Sequence, residues 1–201
     1  MNNEHSDQSF SWKQETLSFL KSFALLLLVY VVIRNYIAQP FIVRGMSMES
    51  TLADGDYVVV DELSYRFRDP RRLEIIVFRT DFLSDQPFGT YYIKRIIGLP
   101  GDRVVVDGDQ VMIYNQEHPE GLLLDEPYLD PRNPNTFTSR VDVTLEQDEF
   151  FVLGDNRSNS SDSRFWGALA QEHIVGKPVI RLFPFTDITV YRYQTFSQAS
   201  R

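Results

Sequence analysis

The chain has 201 residues, enough for one domain with a good core or a main domain with a small insertion. Its formal net charge is −8, with the acidic residues spread along its length; phosphate binding needs a basic surface, so nucleic acid is not an expected partner. There is no cysteine, which excludes disulfides and thiolate metal sites, and His5, His118 and His173 stand too far apart to suggest a histidine zinc site. No metal and no cofactor are expected.

Residues 1–16 are polar and read as a tail. An apolar stretch follows over 17–37. Its clean centre, 22–33, is shorter than the roughly 20 residues a bilayer needs. Lys21 and Arg34 lie near the ends of the longer stretch, where long stems carry charge to the interface. Trp12 and Tyr36 suit the two interfaces. A single transmembrane helix over 17–38 is predicted, with a cleaved signal peptide or a buried core helix as rivals. The segment 35–39 offers no small-x-small cleavage site, which disfavours cleavage. Lys13 and Lys21 before the stretch balance Arg34 and Arg44 after it, so charge leaves the orientation close to a tie.

Beyond Pro40 the chain reads as β structure. Phe41-Ile42-Val43 is a short predicted strand leading into the stretch 43–56, Val-Arg-Gly-Met-Ser-Met-Glu-Ser-Thr-Leu-Ala-Asp-Gly-Asp. Ser47 sits there between two methionines. A hydroxyl among apolar neighbours is either a turn serine bonded to backbone or a protected nucleophile. Asp54-Gly55-Asp56 signals a turn, 57–60 a β-branched strand, 64–72 a surface loop, 74–78 another strand and 80–90 a loop.

The strand predicted at 91–97, Tyr-Tyr-Ile-Lys-Arg-Ile-Ile, closes at Gly98-Leu99-Pro100-Gly101-Asp102. A lysine inside such a strand is costly to bury if charged. Lys94 is thus a sheet-edge lysine with its ammonium in water, a lysine paired with a carboxylate, or something chemically special. Residues 103–140 look like an inserted hairpin region. Strands at 104–106 and 111–114 flank Asp107-Gly108-Asp109, and 131–135 is a predicted loop. Strands are predicted again at 141–145 and 149–153. The segment 154–164, Gly-Asp-Asn-Arg-Ser-Asn-Ser-Ser-Asp-Ser-Arg, is dense in side chains that bond their own backbone and reads as a rigid polar turn. Its acid spacing does not match a calcium loop. A last strand is predicted over 175–184, ending at proline, and the tail after Tyr193 is polar.

A serine hydroxyl is a weak nucleophile and needs a base. No histidine here has a suitable surrounding motif. A lysine serves if it is neutral near pH 7, a drop of roughly 3 units from about 10.4, or about 4 kcal/mol. Desolvation supplies shifts of that order. Tyr92, Ile93, Ile96 and Ile97 offer such burial around Lys94, and a hydroxyl such as Ser160 could orient the amine.

The stretches 45–56, 92–102 and 154–164, in that order and spacing, resemble type I signal peptidases, membrane-anchored serine proteases that remove signal peptides from exported proteins. The resemblance runs from the apolar stretch to about Pro184. It implies a mainly β fold: an N-terminal transmembrane helix, then an all-β signal-peptidase-like catalytic domain with a small β insertion. The expected parts are a tail (1–16), an anchor helix (17–38) and an extracytoplasmic catalytic region (39–201) with its insertion at about 103–140. It implies Ser47 as nucleophile and Lys94 as general base of a Ser-Lys dyad. Ser160 would hydrogen-bond the lysine, Asp162 and Arg164 would form a supporting ion pair, and Asp155 and Arg157 would shape the same loop. The Ser47 amide would donate to the oxyanion. Val43, Met48, Leu52, Tyr92 and Ile93 match positions lining pockets for small residues.

Three departures stand out. Gly45 occupies a place where some relatives carry a second oxyanion-binding serine. Ser50 replaces the usual proline, which loosens the turn. Arg72-Leu73-Glu74 replaces the commoner Arg-Gly-Asp. The implied partners are signal peptides of exported preproteins and membrane lipid, with the chain a monomer. The implied place is a cell membrane or a thylakoid-type internal membrane, crossed once, N-terminus cytoplasmic and catalytic region on the export side. Two other readings are a non-catalytic, membrane-tethered β module that binds peptides and a self-cleaving Ser-Lys repressor protease. The apolar segment and the lack of a basic DNA-binding helix weigh against the repressor.

Overall fold

The structure is a computed structural model that describes residues 12–36, 38–87, 89–133 and 138–191. Residues 1–11 of the predicted N-terminal tail, the whole predicted tail after Tyr193, and residues 134–135 of the predicted loop lie outside these. So do the side chains of Lys13, Arg34 and Tyr36. The chain divides into two compact units, Met1–Ile37 and Ala38–Arg201.

The first unit holds helix α1 (Trp12–Tyr36), which starts five residues before the predicted segment. Its described side chains, Leu17, Phe19, Leu20, Phe23 and Leu25–Leu28 among them, are exposed. Among the described residues no helix is long and apolar enough to cross a membrane.

The second unit is mainly β, as predicted. Its larger sheet takes the order β1 (Ala38–Ile42), β2 (Tyr57–Asp61), β11 (Ile174–Phe183), β3 (Ile75–Arg79), β4 (Tyr91–Gly98), β9 (Glu149–Leu153), β10 (Leu169–Ala170), and β12 (Thr189–Val190) pairs with β11. A four-stranded sheet takes the order β7 (Leu122–Leu123), β6 (Gln110–Tyr114), β5 (Arg103–Asp107), β8 (Val141–Thr144). All the pairings are antiparallel. The predicted hairpin is β5–β6, with Asp107 opposite Gln110 across Gly108-Asp109. The strand predicted to be last is followed by β12. That two-residue strand, like β7 and β10, is too short to leave a periodic signal.

Prolines sit where a missing N–H is tolerated. Pro40 lies in β1, at one end of the sheet, and Pro178 lies beside a bulge in β11. The apolar run of β3 follows from burial on both faces. Ile75 and Val77 join a cluster with Val43, Met48, Leu52, Val58 and Val60; Ile76 and Phe78 join one with Ile96, Phe150, Val152 and Leu169. A third cluster joins the small sheet to the large one through Val104, Val106, Val111, Ile113, Ile97, Phe151 and Leu153.

Gly98, at the end of β4, permits that junction. A Cβ there would stand 2.5 Å from Val104 Cγ2 and 2.7 Å from Leu145 Cδ1. Overpacking of a filled core costs about 1–3 kcal/mol. Gly98→Ala is therefore expected to lower the thermal midpoint by several degrees, and an unchanged melting curve would show that the junction has slack.

Candidate active site

Ser47 is presented by a turn, and the chain builds that turn from both ends. Gly45, at φ +87°, bends the backbone out of the strand direction, and its N–H donates to Asp54 Oδ1 at 2.7 Å. The far side is helical in character: Thr51 N and Leu52 N both donate to Met48 O. Met48 and Leu52 are fully buried and anchor the turn in the core. They do not line the cleft as the resemblance implies. The turn places them on its inner side, leaving Met46 and Ser47 facing outward.

Lys94 lies in β4, opposite Ile76 of β3. It is 3% exposed. Its Nζ stands 2.7 Å from Ser47 Oγ and donates to Ile93 O at 2.9 Å, with the Tyr92 ring centroid 5.1 Å away. This removes both bland readings: the amine is neither in water nor paired directly with a carboxylate. Burial pushes its pKa down to about 8, against the opposing pull of the Asp162 and Asp155 carboxylates. The Ser47 N–H donates to no group among the described residues. It is therefore available to a ligand oxygen.

The loop after β9 closes the site. Leu153 pairs with Arg95, so the register delivers Gly154 and Asp155 beside Lys94. Asn156 N donates to Ser47 O at 3.0 Å. Asp162 caps the short helix α2 (Ser163–Trp166), accepts from Gly154 N at 3.0 Å, and grips Arg164 at 2.8 and 2.9 Å. The implied Asp162–Arg164 ion pair is thus present and buried. Asp155 and Arg157 shape the loop by reaching out of it. Asp155 takes Arg95 at 2.8 and 2.6 Å and Thr51 Oγ1 at 2.5 Å, while Arg157 pairs with Glu126.

Ser160 departs from expectation. Its Oγ is buried with no hydrogen-bond partner, so the bond to Lys94 is not made. Lys94 Nζ instead meets Ser47 Oγ and the Ile93 carbonyl. Ser160 packs against Gly154, where a Cβ would collide with both Ser160 Oγ and the Ser47 carbonyl.

Two of the noted departures have backbone consequences. Ser50 has φ +94°, a value closed to proline, whose ring holds φ near about −65°. Leu73 has φ +68°, in the region glycine favours, and its carbonyl accepts from Arg95 Nη1 at 2.8 Å.

A cleft of about 530 Å³ is lined by Ser47 and Lys94. Val43, Tyr92 and Ile93 line it as expected, together with Arg44, Asn159 and Ser161. The Phe41 and Tyr91 rings meet at 5.3 Å, which sets β1 across from the start of β4. Among the described residues no group of His, Asp and Glu is placed to hold a metal ion.

Sequence reasoning passed over Arg95, Thr51, Glu126 and Tyr128. Arg95 carried a signal: a second cation in an apolar strand needs a carboxylate partner when buried. Glu126 and Tyr128 carried none, since nothing local ties them to residues about 30 positions later.

The family model "Signal peptidase, peptidase S26" matches residues 16–183. A Synechocystis sp. protein named "Probable signal peptidase I-2" is 38% identical over 82% of this chain and 72% of its own length. Signal peptidase I of Leptolyngbya laminosa is 37% identical over 82% of this chain and 78% of its own. Signal peptidase I of Bacillus caldolyticus is 37% identical over 78% and 86%. With that match over most of its length, the chain belongs to the signal peptidase family, peptidase S26.

Proposed function

We propose that this protein is a signal peptidase that removes N-terminal signal peptides from exported preproteins, with Ser47 as nucleophile and Lys94 as general base. One observation carries the assignment of roles: Lys94 Nζ and Ser47 Oγ lie 2.7 Å apart, with the amine buried. Neutral Lys94 takes the proton as Ser47 Oγ attacks the scissile carbonyl. The Ser47 amide donates to the oxygen that gains charge. Lys94 then gives its proton to the leaving amine, and the acyl-enzyme ester remains. A water attacks that ester with Lys94 again as base, and the serine is restored.

The substrate lies extended in the cleft. The free edge of β1 and the Tyr91–Ile93 edge of β4, unpaired on its far side, offer main-chain hydrogen bonds to an added strand. Shallow apolar walls at Val43, Tyr92 and Ile93 favour small side chains next to the cut.

The domain assignment is an anchor followed by a catalytic region. A helix of 25 residues is about 37 Å long, against about 30 Å of bilayer hydrocarbon. Its exposed Phe and Leu side chains suit lipid. Anchoring once in the membrane, N-terminus cytoplasmic and catalytic region on the export side, confines enzyme and preprotein to one surface.

Preprotein cleavage in detergent is expected to fall at least about 1,000-fold in Ser47→Ala and in Lys94→Ala. Full activity in either variant rules out the dyad. The pH profile of kcat/KM is expected to rise through an acidic limb near the Lys94 value of about 8. A limb at the free-lysine value, about 10.4, would mean that burial is not the activating device.

Stability also rises with pH, over a window that begins where the activity limb ends. The folded-state pKa of Lys94 lies below its unfolded value, so the unfolded chain holds the extra proton between about pH 8 and about pH 10.5, and stability rises with pH across that window. Below it the fold carries the whole penalty, about 3 kcal/mol. Lys94→Met should therefore melt higher than the wild type at pH 7, with the gap closing toward about pH 10. An equal gap at both pH values would contradict the shift.

A further inference from the structure

The segment between β7 and β8 takes no part in the chemistry above, yet it grips three parts of the site. Glu126 accepts from both terminal nitrogens of Arg157, whose Nε donates to Gly154 O at 3.1 Å. The Tyr128 hydroxyl donates to Glu126, and burial, with that carboxylate beside it, keeps the phenol protonated. The Tyr128 ring lies 3.9 Å from the Arg95 guanidinium, next in sequence to Lys94. Tyr128 O accepts from Ser50 Oγ at 3.1 Å, and Ser50 belongs to the serine turn. Asn133 Nδ2 donates to Asn156 Oδ1 at 2.6 Å, and Asn156 N holds Ser47 O.

We infer that residues 126–133 form a clamp on the active site, in which Tyr128 and Glu126 are positioning residues holding the serine turn and the 154–158 loop against β4. The inference rests on the Ser47–Lys94 reading and deepens it. Arg95 is the pivot. It must face Asp155 and Thr51 at once, and the Tyr128 ring closes its open side. Removing the ring lets water reach that junction and loosens Arg95 against Thr51 of the turn, although the Tyr128 carbonyl can still take Ser50 Oγ.

The consequence reaches Lys94. The groups facing its amine are Ser47 from the turn, the Tyr92 ring from its own strand, and the Asp155 and Asp162 carboxylates from the loop, with Arg95 beside it on Asp155. Burial is the largest influence on its proton affinity, and the two acids oppose it. A loosened turn rehydrates the amine, and that moves its titration upward.

The test compares wild type, Tyr128→Ala, Tyr128→Phe and Glu126→Gln as full chains in detergent, well below their melting points, cleaving one preprotein from about pH 6 to about pH 10. Tyr128→Ala is expected to lower kcat about tenfold with KM little changed, and to move the acidic limb up by about half a pH unit. Tyr128→Phe keeps the ring over Arg95 and should stay near wild type. Glu126→Gln should lose a few-fold in kcat with a smaller move in the same direction, and it carries the test if Tyr128→Ala does not fold. A lower amplitude with an unmoved limb would reduce the segment to a merely structural role and overturn the inference. So would wild-type kinetics in Tyr128→Ala. Absence of cleavage by the wild type, or full cleavage by Ser47→Ala, would instead bring down the dyad reading and the clamp with it.

Discussion

A lysine amine held out of water against a serine hydroxyl is the constraint on which the rest of the structure depends. Charged, it is costly to bury; neutral, it has a lone pair within 2.7 Å of the Ser47 hydroxyl. The surroundings settle the balance. Tyr92 covers it from its own strand, the serine turn closes on it, β3 pairs at its level and β9 joins at the next residue, Arg95. The two acids that pull against burial are each already engaged by an arginine, Asp155 by Arg95 and Asp162 by Arg164.

Those ion pairs are costly elements to place inside a protein. Desolvating both partners offsets most of their attraction, so they are weak evidence of stability. Their value here is geometric. Breaking one by removing a single partner would strand a buried charge, at a cost of about 3–5 kcal/mol. The arrangement around Ser47 therefore has few neighbouring alternatives. Arg95 also accounts for the backbone at Leu73: its guanidinium reaches the Leu73 carbonyl, and a left-handed residue turns that carbonyl toward it. Leu73 in turn packs against the cluster that joins the two sheets.

The Ser50 position shows how one change can be absorbed. The expectation of a looser turn considered only the missing proline ring. In the folded chain, Ser50 adopts a left-handed backbone that proline cannot reach and bonds to a carbonyl 78 positions later. What holds the turn in place is thus long-range, made by Tyr128, Asp155 and Asn156 and not by local backbone stiffness alone.

The sequence by itself determined the β class, the main strands and the hairpin at Gly108-Asp109. These are local properties, β-branched runs and turn pairs. Local reading left Ser47 and Lys94 with bland alternatives, and it was the resemblance of three motifs in order that paired them. The Asp162–Arg164 pair came from the family resemblance alone, and the helix start that lets Asp162 hold Arg164 appears only in the fold. What only the tertiary structure decided were relations across long separations. It turned Met48 and Leu52 inward, left Ser160 without the lysine, gave Asp155 to Arg95 and Thr51, and brought Glu126 to Arg157. The physical reason is that a strand or a turn is specified by neighbours in sequence. A buried charge, by contrast, takes whichever partner the packed sheets deliver, and no spacing in the chain announces which that will be.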